Sequence, residues 1–233
     1  MALIREFCAE NMTLVPAAIV AGARRIELCD NLAVGGTSPS YGVIKAAIST
    51  AQASNVQVMV MVRPRGGSFF FNTQERAMML DDIACARALG VSGVVFGCVR
   101  PDHDGTLVLD SELVKTLVAA AKGPGSGMSI GTPSLQVTFH MAFDVLDEEA
   151  QLTALDELAS LGIERVLTHG GPAGTPIFDN VSHLRELVAY ANGRLVILPG
   201  GGITWENAEQ IASRIGVHEV HGTKIVKLPQ PSI

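Results

Sequence analysis

Glutamate and cysteine recur together at two places near the start of the chain. The segments LIREFC and RIELC both end in Glu-x-Cys, which supplies Glu6 and Cys8 in the first and Glu27 and Cys29 in the second. Carboxylates held inside a protein are candidate proton donors and acceptors, so Glu6 and Glu27 are candidate catalytic groups. For the cysteines, two buried and inert core residues are the simplest interpretation.

Two arginines follow an apolar run in the segment MVMVRPRGGSFFF, residues 59–71. Arginine keeps its charge at any ordinary pH, and its planar fork suits carboxylate or phosphate. Arg63 and Arg65 are therefore candidate ligands for an anion. The alternative is that both arginines only neutralise Glu6 and Glu27 in an internal network of ion pairs.

His140 is followed four residues later by Asp144 in the segment VTFHMAFD. A histidine with an orienting carboxylate is a usual acid–base arrangement, so we count both residues as catalytic candidates. A structural histidine with all its hydrogen bonds satisfied is the alternative.

Three successive glycines, Gly200, Gly201 and Gly202, follow an apolar run that ends in proline. Glycine-rich turns after late strands of an α/β barrel often bind phosphate through backbone N–H groups. Thr168 and His221, at the ends of two other strand candidates, complete the predicted ligand-binding set, and Lys224 could add positive charge.

The segments that carry these residues alternate between short β-branched runs and longer runs of helical period. Eight strand candidates can be counted: LIREFC, RIELC, VQVMVMV, GVVF, LQVTF, RVL, LVIL and VHEVH. This order predicts one (β/α)8 TIM-barrel domain over residues 1–233, with an open doubly wound sheet as the alternative. Only twelve residues follow His221, so we expect the eighth helix to be short or missing. The segment 122–134 is predicted to be a loop.

Side chains alternate between the two faces of a strand, which allows the barrel interior to be predicted. If the apolar set packs against the helices, Glu6, Cys8, Glu27 and Cys29 point inward. The same alternation directs inward a second group on later strands, namely Met61, Arg63, Thr138, His140, Thr168, Glu219 and His221.

The composition limits the function classes. The formal net charge is -6 and 17% of the residues are charged, while 48% are hydrophobic, which argues against nucleic acid as a partner. Neither a membrane-spanning run nor an apolar leader is apparent, so we expect a cytoplasmic protein. The four cysteines lack a CxxC spacing and are expected to be reduced thiols.

The motifs IREFC, RIELC, GGTSPSYGV, RPRGG, VTFHMAFD, RVLTHGG and EVH, in this order, resemble the CutC family of copper homeostasis proteins. The resemblance implies a TIM barrel, a cytoplasmic location and a role in handling copper, with Cys8 and Cys29 as Cu(I) ligands. Three features depart from the family pattern, the first of which is a longer loop at 122–134. Met141 stands where an arginine usually follows the histidine, and the chain after His221 reads differently and ends early.

Two functions of different class therefore remain open. The first is Cu(I) binding by Cys8 and Cys29, because soft thiolates suit this ion; Cys98 could be a third ligand. The second is a barrel enzyme that acts on a small anionic metabolite. A homo-oligomer is compatible with both.

Overall fold

The computed structural model describes residues 2–123 and 134–229. The loop predicted at 122–134 lies almost entirely outside the described residues. The strands are β1 (Ile4–Glu10), β2 (Arg25–Cys29), β3 (Gln57–Met61), β4 (Gly93–Phe96), β5 (Val99–Pro101), β6 (Leu107–Leu109), β7 (Gln136–Phe139), β8 (Arg165–Thr168), β9 (Val196–Pro199) and β10 (Glu219–Gly222). The α-helices are α1 (Val15–Val20), α2 (Tyr41–Gln52), α3 (Thr73–Leu89), α4 (Ser111–Lys122), α5 (Glu148–Ser160), α6 (Val181–Ala191) and α7 (Ala208–Ile215).

Eight of the strands form one parallel sheet in the order β10-β1-β2-β3-β4-β7-β8-β9. The two strands at the ends of this order, β9 and β10, lie side by side, so the sheet is a nearly closed barrel surrounded by helices. The predicted α/β barrel is confirmed, and the open doubly wound sheet is excluded. Among residues 223–229, which follow β10, no helix forms.

Helix ends follow from local sequence. The Asn72 side chain accepts hydrogen bonds from the backbone N–H groups of Gln74 and Glu75, while the Glu75 carboxylate accepts one from the Asn72 backbone. This capping box begins α3. The helix ends at Gly90, whose φ of 77° suits glycine far better than other residues.

The barrel core has two layers that follow the predicted alternation. Outward-facing strand residues such as Phe7, Ile26, Val58 and Val137 are buried against the helices in one large cluster. Inside the barrel a second, small cluster contains Cys8, Cys29, Met59, Met61 and Val95. The predicted faces of these strands are confirmed.

Two local turns shape the connections between these elements. The turn around Asp104 is the tip of an antiparallel hairpin, β5–β6, and the backbone N–H of Asp102 donates to Thr106 O at 2.7 Å. Helix α7 begins at Ala208, because Asn207 and Thr204 form a tight turn before it, in which Asn207 Oδ1 accepts from the Thr204 backbone N–H.

No helix of the described residues is both long and apolar enough to cross a membrane.

Candidate functional site

A buried ionic network fills the amino-terminal half of the barrel interior. Arg25, at the start of β2, is beside Glu6 in the β1–β2 register, and its Nε donates to Glu6 Oε2. Its Nη2 donates to Glu219 Oε2 at 2.7 Å. Arg165 Nε reaches the same Glu219 oxygen at 2.7 Å, and Arg165 Nη1 donates to Gln136 Oε1 at 2.7 Å.

This network corrects the interpretation that Arg63 and Arg65 neutralise the buried glutamates. The partner of Glu6 is Arg25, which the sequence analysis missed. The inward position of Arg25 could have been predicted from the sequence, because Arg25 shares the inward face of β2 with Glu27 and Cys29.

His221 connects this network to the barrel mouth. Its Nδ1 lies 2.8 Å from Glu6 Oε1, and its Nε2 lies 3.6 Å from Glu27 Oε2. Burial alone would raise the pKa of Glu6, but the charges of Arg25 and His221 outweigh it and lower the pKa to about 2. Burial opposes protonation of His221, yet Glu27, Cys8 and Glu6 together raise its pKa well above the usual value. Glu6 is therefore a fixed negative charge facing an imidazolium.

Cys8, Glu27 and His221 come together above this layer. One ligand atom from each lies within 4.8 Å of the others, and all three residues are buried. They line an inner cavity of about 210 Å³, together with Met61, His140 and Met141. A thiol, a carboxyl group and an imidazole that converge on one cavity can hold a metal ion or move protons.

Cys29 lies beside this cluster. Its Sγ is 3.6 Å from Glu27 Oε2, and Cys29 belongs to the same buried cluster as Cys8. The β1–β2 register explains the arrangement, because Cys8 pairs with Glu27 whereas Cys29 is two residues further along β2. Met59 and Met61 pack against the same thiols, so four sulfur-bearing side chains meet inside the barrel.

The two thiols differ in acidity. The hydrogen bond from Cys29 lowers the pKa of Cys8 well below the usual thiol value, despite the opposing effect of burial. The same hydrogen bond raises the pKa of Cys29, and burial adds to this effect. Burial also raises the pKa of Glu27, against the opposing charge of His221. Cys8 is therefore the thiol that ionises first.

The other two cysteines lie elsewhere. Cys98 is buried in the outer cluster between strands and helices, because it has the outward alternation of β4. Cys85 belongs to α3. The expectation that Cys98 could be a third metal ligand is therefore wrong, whereas the expectation of free thiols agrees with the structure.

Arg63 and Arg65 hold loops at the barrel mouth. Arg63 donates to the carbonyls of Val34, Gly36 and Gly67 at 2.8–3.0 Å. Its guanidinium lies 4.7 Å from the centre of the Phe69 ring. Arg65 pairs with Glu75 at 2.5 Å and donates to three carbonyls of its own loop. Their role as anion ligands stays a prediction, and these contacts give both arginines a structural task.

His140 lies at the inner cavity without the predicted help of Asp144. Its Nδ1 accepts a hydrogen bond from the Ala142 backbone N–H at 3.1 Å, which leaves the proton on Nε2. Burial and the charge of Arg63 lower the pKa of His140 to about 3. His140 is therefore a neutral hydrogen-bond donor at physiological pH.

Asp144 instead joins the loops after β7 and β8. It accepts from the Thr168 hydroxyl and from the His169 backbone N–H, the latter at 2.9 Å. Thr168 Oγ1 in turn accepts from the Gly170 backbone N–H at 2.9 Å. The pairing of Asp144 with His140 is therefore wrong, because this carboxylate is already bound by the neighbouring loop.

The glycine turn borders a second, outer cavity of about 420 Å³, lined in part by Gly201, Gly202, Thr223 and Lys224. Gly200 lies at the junction with the inner cavity, since a Cβ placed on it would come 3.2 Å from both His221 Cδ2 and Met141 Cε. Met141, His221 and Thr223 line both cavities. The two cavities therefore adjoin at the ends of β9 and β10 and together make up the mouth cleft.

The fold and the site together define the class of this protein. It is a parallel α/β barrel that carries sulfur, carboxyl and imidazole groups toward the carboxyl ends of its strands. The chain belongs to the CutC family, whose model matches residues 3–226. The CutC family protein of Enterococcus faecalis is 51% identical over 224 residues, which cover 96% of this chain and all of the relative. That of Streptococcus pyogenes is 44% identical with the same coverage.

Among solved structures, the CutC protein of Streptococcus agalactiae superposes with a TM-score of 0.87 at 42% identity, covering 96% of this chain and all of the other. That protein has been assigned provisionally to copper homeostasis. A protein described as an aldolase, QR15, has a TM-score of 0.66 at only 16% identity, a similarity that concerns the fold alone.

Proposed function

We propose that this protein acts in copper homeostasis by binding Cu(I) at the barrel mouth through the thiolates of Cys8 and Cys29. The observation that supports this most strongly is the sulfur cluster of Cys8, Cys29, Met59 and Met61 inside an otherwise closed barrel. Cu(I) prefers thiolate and thioether ligands over oxygen. A buried group of this kind would favour Cu(I) over hard divalent cations.

The surroundings of the thiols support the same assignment. Cys8 has a lowered pKa, so the ligand form is accessible near neutral pH. His221 lies within ligand distance of Cys8, although we assign the main affinity to sulfur. Membership of the CutC family and the provisional assignment of the Streptococcus agalactiae relative point in the same direction.

Competition with a Cu(I) chelator under anaerobic conditions tests this proposal. Wild type is compared with the double variant Cys8→Ser, Cys29→Ser, and with Cys85→Ser, Cys98→Ser as the matched control. Loss of both ligands should weaken binding by more than the roughly 10–100-fold that removal of an outer-shell partner costs. The control should match wild type.

Two further outcomes follow. His221→Gln should retain most of the affinity, because the thiolates provide the main ligands. Binding should release protons and weaken as the pH falls, since thiols must ionise to coordinate the metal. Equal affinity in wild type and the Cys8→Ser, Cys29→Ser variant would refute the proposal.

A further inference from the structure

The cleft at the barrel mouth is larger than a metal ion requires. Its inner part, about 210 Å³, and its outer part, about 420 Å³, adjoin and share Met141, His221 and Thr223 in their linings. Since one water occupies about 30 Å³ of liquid volume, the inner part alone has the volume of about seven waters. A bound copper ion would leave most of this space free.

Buried polar atoms at the inner end lack partners among the described residues. These are Glu27 Oε1 and His140 Nε2, and both residues line the inner cavity. An unpaired buried polar atom costs about 1–3 kcal/mol, so native proteins usually satisfy it with water or ligand. His140 offers a donor and Glu27 an oxygen, which is the pair that recognises a hydroxyl group.

The outer end of the cleft presents groups that suit an anion. Gly201 and Gly202 have φ angles of 78° and 75° and expose backbone without side chains at one wall of the outer cavity. Thr223 and the exposed Lys224 form another part of the lining, and no described carboxylate does. Backbone N–H groups, a hydroxyl and an ammonium group at the ends of the last two barrel strands suit a phosphate group.

Another cavity of similar size provides a contrast. It lies between the β5–β6 hairpin and α5, has about 350 Å³, and is lined by Arg100 together with the acidic residues Asp102, Asp147, Glu149 and Glu157. This cavity would repel an anion. The outer part of the mouth cleft therefore differs from this cavity in having a positive charge without carboxylates in its lining.

We propose that the mouth cleft binds a small organic phosphate monoester. The phosphate lies against Gly202, Thr223 and Lys224, and the hydroxyl-bearing carbon body extends inward to Glu27 and His140. This inference goes beyond copper binding, since it adds the outer cavity, which no thiol lines, and a ligand that extends from there into the inner cavity beside Cys8.

Calorimetric titration of the full chain, freed of copper, tests the inference with glycerol 3-phosphate, inorganic phosphate and glycerol as probes. Wild type should bind glycerol 3-phosphate with a Kd in the millimolar range or tighter, and inorganic phosphate more weakly. Lys224→Ala should weaken both by about tenfold, the effect of losing one charge-assisted hydrogen bond. Lys115→Ala, which changes an exposed lysine of α4, is the matched control.

Variants at the inner end separate the two parts of the site. His140→Gln and Glu27→Gln should each weaken the binding of glycerol 3-phosphate without changing the affinity for inorganic phosphate. No binding of glycerol 3-phosphate by wild type, or the same loss in Lys224→Ala and Lys115→Ala, would overturn the inference. Glycerol 3-phosphate binding no tighter than inorganic phosphate would overturn the role of the inner end. None of these results depends on whether the cysteines bind Cu(I).

Discussion

The amino-terminal and carboxyl-terminal halves of the barrel interior are both polar, but their polar groups have different partners. In the amino-terminal, lower half, the charged side chains bind one another; they are Glu6, Arg25, Glu219 and Arg165. Among the nitrogens of Arg25, only Nη1 is buried without a partner among the described residues. At the mouth, Cys8, Glu27 and His140 border a cavity, and polar atoms of Glu27 and His140 have no partner among the described residues.

This difference separates structure from function within one barrel. Polar residues inside a barrel do not by themselves indicate a ligand site, because the lower network satisfies its charges internally. The informative feature of the mouth is a set of polar and sulfur groups that face open space. Stability should therefore depend on the lower half, and ligand binding on the upper half.

The largest expected effect comes from breaking the lower network. Arg25→Ala leaves the buried Glu6 without its arginine and Glu219 with Arg165 alone, so we expect a loss of about 3–5 kcal/mol in the free energy of unfolding. Denaturant unfolding at neutral pH measures it. Glu27→Gln at the mouth, as the comparison, should cost less than about 1 kcal/mol. Similar losses in the two variants would remove the distinction between the halves.

The two halves of the barrel interior should lose folding stability in different pH ranges as the solution is acidified. The unfolded chain protonates His140 near its usual pKa of 6.5, whereas the folded chain does so only near 3. Stability must therefore fall as the pH drops through this range, by up to about 1.4 kcal/mol per pH unit. His140→Gln should remove that slope between about pH 6 and pH 4, a total of about 2–3 kcal/mol.

Glu6 serves as the control for this measurement. Its pKa is lowered from 4.5 to about 2, so its stabilising contribution is complete above 4.5 and is lost as the pH falls from there. Glu6→Gln should therefore leave the slope between about pH 4.5 and pH 6 unchanged. A flattened slope in that range for Glu6→Gln, but not for His140→Gln, would reverse the assignment.

The smallest effect is expected for Thr138→Val. The Thr138 hydroxyl is buried without a partner among the described residues, so its removal should change the free energy of unfolding by no more than about 1 kcal/mol. Thr168→Val is the matched control and loses the bonds to Asp144 and Gly170, which should cost about 1–3 kcal/mol. Thermal unfolding of both variants distinguishes the two positions, and equal losses would contradict the contrast.

The sequence predicts the barrel well because strand and helix periods, and the alternation of inward and outward residues, are local properties. The alternation correctly directs Glu6, Cys8, Glu27 and Cys29 inward. The alternation does not, however, determine the register between neighbouring strands. That register pairs Glu6 with Arg25 and Cys8 with Glu27, so the partner of Glu6 and the residues nearest Cys8 became apparent only in three dimensions.

The loops show the same limit. Arg63 and Arg65 look like free cations in the sequence, but the chain folds back and offers them carbonyls of nearby loops. Asp144 is four residues from His140, yet a 3₁₀ turn at Met141–Val145 directs it to Thr168 and His169. Short sequence spacing does not determine side-chain direction where the backbone is irregular.

The most direct test of the account is a crystal structure of the protein grown anaerobically with Cu(I), with anomalous data collected at the copper absorption edge. The account predicts one strong anomalous peak at the barrel mouth, within bonding distance of the Cys8 and Cys29 sulfurs, while the lower ionic network stays unchanged. A peak at Cys85 or Cys98, or no peak at the mouth at full copper loading, would contradict it.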